Sequence, residues 1–305
     1  MNDQEKPTPH GIYAIVYALF DASEKLDRSL MRRQVEICLA SGVHGMAALG
    51  LATEVSKLGE RERVTVMDWV AEDTGRHVPL ALTIYGNSVA EQIRQVRHAE
   101  TVGASWIILQ PPNVGRYSGK ELIDFFCRVA EATALPVAIQ NAPAFLGTGL
   151  SADEIIALGQ RCPNFRLIKA EGSAVDIAGL IETTGRKLPV FNGRAGLELI
   201  DNLQAGCSGF ILAPDCIDHA VRAYELFREA KIEEAAATYR TIAPSIVFAM
   251  QGIEHLICYG KRIFGARAGI EIIDRAPALR PSGAGLAFVS QFAADLGAFP
   301  QGARG

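Results

Sequence analysis

The amino-acid sequence predicts an α/β protein, a (β/α)8 TIM barrel followed by a helical C-terminal extension. Short β-rich runs alternate with amphipathic runs from end to end, the pattern of a parallel sheet with crossover helices. Eight such units fit in about 230 residues, the size expected of this barrel. From Ala230 to Leu296 the patterning is helical alone. The barrel is therefore expected over residues 10–229 and the extension over 230–296, with 1–9 and 297–305 flexible.

In order, the strands are expected at Ile12–Leu19, Gly45–Gly50, Pro79–Tyr85, Trp106–Gln110, Val137–Asn141, Arg166–Glu171, Val190–Gly193 and Phe210–Ala213. Each is a short apolar run, as suits a parallel strand buried on both faces. Helix starts are marked by Ser88, Ser118 and Ser151, each followed three residues later by glutamate, the reciprocal capping pattern that assigns these serines to helix initiation rather than catalysis. Gly147-Thr-Gly149 and Gly193-Arg-Ala-Gly196 lack the full dinucleotide-binding pattern and read as loops. Helices are expected through Glu233–Met250, near Glu254–Phe264 and near Gly285–Leu296, with a frayed tail from Ala298.

The 305 residues, 49% of them hydrophobic, are enough for one large core. A net charge of −4 argues against nucleic acid as a partner. No span approaches a transmembrane length, and Met1–His10 is polar without an apolar signal core, so no membrane partner and a cytoplasmic location are expected. The cysteines at 38, 127, 162, 207, 216 and 258 contain no Cys-x-x-Cys pair and are expected to be reduced and mostly buried. The six histidines lack metal-ligand spacing, and neither a metal nor another cofactor is expected.

Function is sought at the carboxyl ends of the strands, where barrels of this type carry their reacting groups. The sixth strand ends Leu167-Ile168-Lys169-Ala170-Glu171, and period-two alternation puts Leu167, Lys169 and Glu171 on one face. An amine in a closed interior beside a carboxylate suits a nucleophile and its base, although this segment alone fits a structural ion pair equally well. The other strand ends supply Gly50-Leu-Ala-Thr-Glu54, Gln110-Pro-Pro-Asn113, Gln140-Asn141-Ala-Pro143 and Asn192-Gly193-Arg194. Amides, a hydroxyl, carboxylates and an arginine form a set suited to a hydroxylated, anionic small molecule.

In this order these pieces resemble the dihydrodipicolinate synthase / N-acetylneuraminate lyase family of Schiff-base-forming barrels. The resemblance covers roughly residues 10 to 295 and rests on Gly11–Phe20, the Gly50–Glu54 loop with Leu58 and Glu62-Arg63, Ile168-Lys169, and Phe191-Asn-Gly193. It implies that Lys169 forms an imine with the keto carbon of a 2-keto acid. The departures narrow the activity. The family's Gly-Thr-Thr-Gly-Glu loop, which holds the carboxylate, is here Gly50-Leu51-Ala52-Thr53-Glu54, and its Tyr-Asn-x-Pro is here Gln140-Asn141-Ala142-Pro143. Glutamine cannot serve as the tyrosine's proton shuttle. The synthase arginine and the neighbouring subunit's tyrosine would fall near Phe145 and Val114, which speaks against dihydrodipicolinate synthesis.

Gln-x-Ala-Pro, Lys-x-Glu and the Thr53-Glu54 pair are similar to the 2-keto-3-deoxy-L-arabinonate dehydratase branch, which has Gln-Asp-Ala-Pro and Ser-Glu; Asn141 and Asn113 depart from it. The implied activity is a lyase dehydrating a 2-keto-3-deoxy sugar acid. Lys169, Glu171 and Gln140 are the candidate catalytic residues, with Glu171 as base at C3. Thr53, Ala52 and Glu54 are assigned to the substrate carboxylate loop, and Asn113, Asn192, Gly193 and Arg194 to the rest of the substrate. The alternatives are a retro-aldolase or deaminase using the same lysine, or a non-catalytic barrel that keeps the pocket. The family also implies a homo-oligomer, tetramer or dimer.

Overall fold

The computed structural model describes residues 8–300; of the segments expected to be flexible, 1–9 and 297–305, residues 1–7 and 301–305 lie outside the described residues. Eight strands pair in parallel and in chain order: β1 (Gly11–Ile15), β2 (Gly45–Ala48), β3 (Leu80–Ile84), β4 (Trp106–Leu109), β5 (Val137–Asn141), β6 (Phe165–Ala170), β7 (Val190–Asn192) and β8 (Gly209–Leu212), with β8 closing on β1. The helices between and after them are α1 (Arg28–Ala40), α2 (Glu60–Thr74), α3 (Val89–Thr101), α4 (Gly119–Ala130), α5 (Ala152–Arg161), α6 (Ala174–Thr183), α7 (Leu199–Ala205) and α8 (Ile217–Arg228). Three more follow: α9 (Ile232–Ala249), α10 (Ile253–Ala268), which contains a π turn at Leu256–Gly260, and α11 (Gly283–Leu296). This is a TIM barrel.

One half of the barrel interior is plugged by aromatic rings. Tyr13 on β1, Trp106 on β4 and Phe191 on β7 meet with ring centroids 5.4–5.5 Å apart. Glycines face them: a Cβ at Gly45 would lie 2.2 Å from the Tyr13 ring, and one at Gly209 2.7 Å from the Phe191 ring. Large side chains against missing ones fill the tapering interior, as close packing requires. Thr83, Gln140, Asn141, Lys169 and Asn192 stand toward the carboxyl-terminal ends of their strands, whereas Arg166 is exposed near the start of β6.

The expected first strand is too long. It ends at Ile15, and Val16–Phe20 is buried without being a ladder strand. Val16 N still donates to Ala47 O of β2 and Leu19 O accepts from Asp27 N, but side chains satisfy others: Tyr17 N donates to Gln34 Oε1 at 2.8 Å, Gln34 Nε2 donates back to Tyr17 O at 2.9 Å, and Thr53 Oγ1 donates to Val16 O at 2.6 Å. The run is apolar because the chain covers it, which composition cannot separate from pairing. Ser118 and Ser151 form reciprocal caps, and so does Ser173 with Asp176. Ser88 caps α3, but the Glu91 carboxylate turns to Asn87 N and Arg63.

Two expectations are corrected. Cys127 and Cys162 are joined in a disulfide, whereas the other four cysteines are free and buried. The start of the tail is packed rather than frayed, because Phe299 lies against the Phe264 ring and beneath the Arg267 guanidinium. Among the described residues, no single helix is long and apolar enough to cross a membrane, and no cluster of three or more His, Cys, Asp or Glu could hold a metal ion.

Candidate active site

Lys169 is the penultimate residue of β6 and is 4% exposed. Its Nζ lies 2.7 Å from Glu171 Oε1. Sheet register explains the neighbours. Gln140 on β5 is the cross-strand partner of Lys169, and Glu171 N bonds Asn141 O at 2.9 Å, which carries the pairing beyond the strand end. Gln140 Nε2 donates to the same Glu171 Oε1 at 3.0 Å, and Gln110 Nε2, at the end of β4, donates to Gln140 Oε1 at 2.7 Å. One carboxylate oxygen thus faces both an amine and an amide donor, and all three side chains are buried. Gly193 makes room for it: an added Cβ would come within 3.1 Å of the Glu171 carboxyl carbon.

Above this cluster the barrel mouth opens as two cavities. One, of about 880 Å³, is lined by Tyr85, Gln110 and Asn113 among others; the second, of about 650 Å³, is lined by Glu171, Asp176 and Arg194 among others. Ala144 and Phe145, in the short helix Pro143–Leu146, and Gln251-Gly252 border both cavities and divide them. Both are large enough for a small organic acid. Of the lysine's cluster, Gln110 lines the first cavity and Glu171 the second.

The structure brings Lys169, Glu171 and Gln140 together and disperses most of the other candidates. Thr53 is fully buried and faces the backbone, donating to Val16 O and accepting from Leu49 N at 3.0 Å, so its hydroxyl does not serve the pocket. Glu54 lines the cavity, but its oxygens are taken by Lys261 Nζ at 2.5 Å and Lys57 Nζ at 2.7 Å. Asn192, also fully buried, locks its own loop by bonding Gly172 O, Asn202 Oδ1 and Gly193 N. Arg194 reaches the second cavity while held by Glu198 and Gly172 O, each at 3.0 Å. Asn113 is exposed at the rim of the first cavity, and Ala52 is buried in the turn after β2. Gln110 and Thr83 join the site without having been among the residues expected there. Each is a lone polar residue in an apolar strand run, on the same alternation face as Trp106 or Ala81, and that signal was available.

Comparison with known proteins agrees with this geometry. Residues 8–250 match the dihydrodipicolinate synthetase family. The chain is 26% identical over 252 residues to an L-2-keto-3-deoxyarabonate dehydratase of Azospirillum brasilense, with 81% of each chain covered. It is also 26% identical to a 4-hydroxy-tetrahydrodipicolinate synthase of Methanothrix thermoacetophila, covering 77% of this chain and 80% of that one. In fold it is similar to YagE, a prophage protein of Escherichia coli K12 whose crystal structure contains pyruvate: the TM-score is 0.86 at 23% identity, over 94% of this chain and 98% of that one. A match over residues 8–250, together with a closed eight-stranded barrel of the same shape, makes this chain a member of the dihydrodipicolinate synthetase family.

Proposed function

We propose that the protein is a Schiff-base lyase that dehydrates a 2-keto-3-deoxy sugar acid. Lys169 adds to the C2 carbonyl, and water leaves to give an iminium that acts as an electron sink. Glu171 takes a proton from C3, giving the enamine; the C4 hydroxyl then departs with a proton as water. Hydrolysis of the unsaturated imine releases the product and restores the amine. Gln140 orients the carboxylate and cannot itself ionise. Leu51 and Asn113 line the first cavity, and the Gly50–Ala52 backbone and Asn113 are assigned to the substrate's polar groups.

The observation that carries this reading is the shared oxygen of Glu171, 2.7 Å from the amine and 3.0 Å from Gln140. Among the described residues, Glu171 is the one carboxylate paired with Lys169. Carbon–carbon cleavage would require a base on the C4 hydroxyl, and the residue beside Lys169 on β5 is an amide.

The test is incubation with 2-keto-3-deoxy sugar acids, with and without borohydride, followed by mass analysis of protein and product. The expected result is a reduced adduct on Lys169, absent in Lys169→Ala, and a product lighter by one water. An adduct of equal yield in Lys169→Ala, or pyruvate and an aldehyde as products, would overturn the proposal.

A further inference from the structure

Thr83 on β3 carries a hydroxyl that the fold itself does not use. The residue is fully buried, and among the described residues its Oγ1 has no hydrogen-bond partner. Such a group costs stability unless something else satisfies it. Its position relates it to the lysine. An atom placed where Gly50 would carry its Cβ would lie 3.6 Å from Thr83 Oγ1 and 3.8 Å from Lys169 Nζ. The hydroxyl and the amine therefore flank one point at the barrel floor, which Ile15 Cδ1, 2.5 Å away at the end of a flexible side chain, fills and must vacate for a ligand to enter.

We infer that Thr83 binds the carboxylate of the keto acid held by Lys169, an inference that rests on the proposed function. Once C2 is bonded to Nζ, the carboxylate on C2 must lie within a few ångströms of that nitrogen. Of the polar side chains around it, Glu171 is an anion and repels a carboxylate, while Gln140 and Gln110 are committed to Glu171 and to each other. Thr83 has an unspent donor. Turning the carboxylate toward Thr83 also turns C3 toward Glu171, so the same hydroxyl orients the proton that the base removes. Threonine here is a positioning and specificity group for 2-keto acids over simple ketones.

The experiment compares borohydride trapping of pyruvate and of hydroxyacetone, a ketone without a carboxylate, over a concentration series. Thr83→Val keeps the shape and removes the donor. Because no protein hydrogen bond is lost, its melting temperature is expected at or above that of the unmodified protein. Half-maximal trapping by pyruvate is expected to need roughly 10- to 100-fold more ligand, the worth of a hydrogen bond to a charged group. Hydroxyacetone trapping should be unchanged, and Thr83→Ser should restore pyruvate trapping. Thr83→Ala repeats the comparison with a smaller side chain should the valine variant fail to fold. An unchanged pyruvate response, or an equal loss for both carbonyls, would overturn the inference. Failure of the unmodified protein to trap either carbonyl would instead remove the Lys169 reading, and this inference with it.

Discussion

Lys261 Nζ, on α10, lies 2.5 Å from Glu54 Oε1 on the loop after β2, and both side chains are sealed from water. Burial pushes the Lys261 ammonium below the usual lysine range, and the Glu54 carboxylate opposes that shift. Glu54 adopts a left-handed backbone conformation, φ 56°, and its second oxygen holds Lys57. A helix outside the barrel thereby secures the loop that frames the lysine at the barrel floor. Lys261→Met leaves a buried carboxylate short of one partner and should destabilise the fold by about 3–5 kcal/mol, the usual cost of breaking a buried pair. Adding Glu54→Gln should recover part of the loss. Urea unfolding of the single and double variants measures it; additive effects would show that the two residues are not coupled.

Glu171→Gln keeps the size of the side chain and removes the base. Imine trapping should survive, whereas elimination should slow by about 10²–10⁴-fold, the range for a positioned general base. Deuterium exchange at C3 of a bound, unreduced keto acid should slow in parallel. Full exchange in the variant would reduce Glu171 to a structural partner of Lys169.

Thr53→Val is expected to behave differently from Thr83→Val. Thr53 Oγ1 bridges Val16 O and Leu49 N, so its loss leaves two buried backbone groups short of a partner. The cost should be about 1–3 kcal/mol of stability. Half-maximal trapping by pyruvate should shift much less than in Thr83→Val. Thermal unfolding and trapping, measured on both variants, separate the two roles, and a large trapping defect at unchanged stability would return Thr53 to the substrate site.

Asp215 accepts from the Tyr17 hydroxyl at 2.9 Å in a fully enclosed position. Burial raises its carboxyl above the ordinary value of 3.8, against the opposing effect of Tyr17. The native state therefore binds this proton more tightly than the unfolded chain. Stability from this group is complete below 3.8 and is lost as pH rises through the raised native value. Asp215→Asn removes that decrement, so the stability of the variant relative to the unmodified protein should grow with pH across this window. Unfolding titrations at a series of pH values test it; a constant difference would contradict the assignment.

The sequence by itself determined the barrel, its eight strands to within a few residues, and the pairing of Lys169 with Glu171. These follow from local rules: parallel strands are short apolar runs, and alternation places residues two apart on one face. The position of Gln140 beside the lysine was legible because both stand at strand ends of adjacent units. Tertiary structure alone decided which polar side chains are free. Thr53, Glu54 and Asn192 occupy strand-end positions, yet each is spent on a partner distant in sequence and near in space: the backbone just after β1, a lysine 207 residues away, and the loop after β6. Thr83 is the converse, an inconspicuous strand residue left with its hydroxyl unspent. Hydrogen-bond donors and acceptors are satisfied by proximity in three dimensions, and no one-dimensional pattern records which of them the fold has already used.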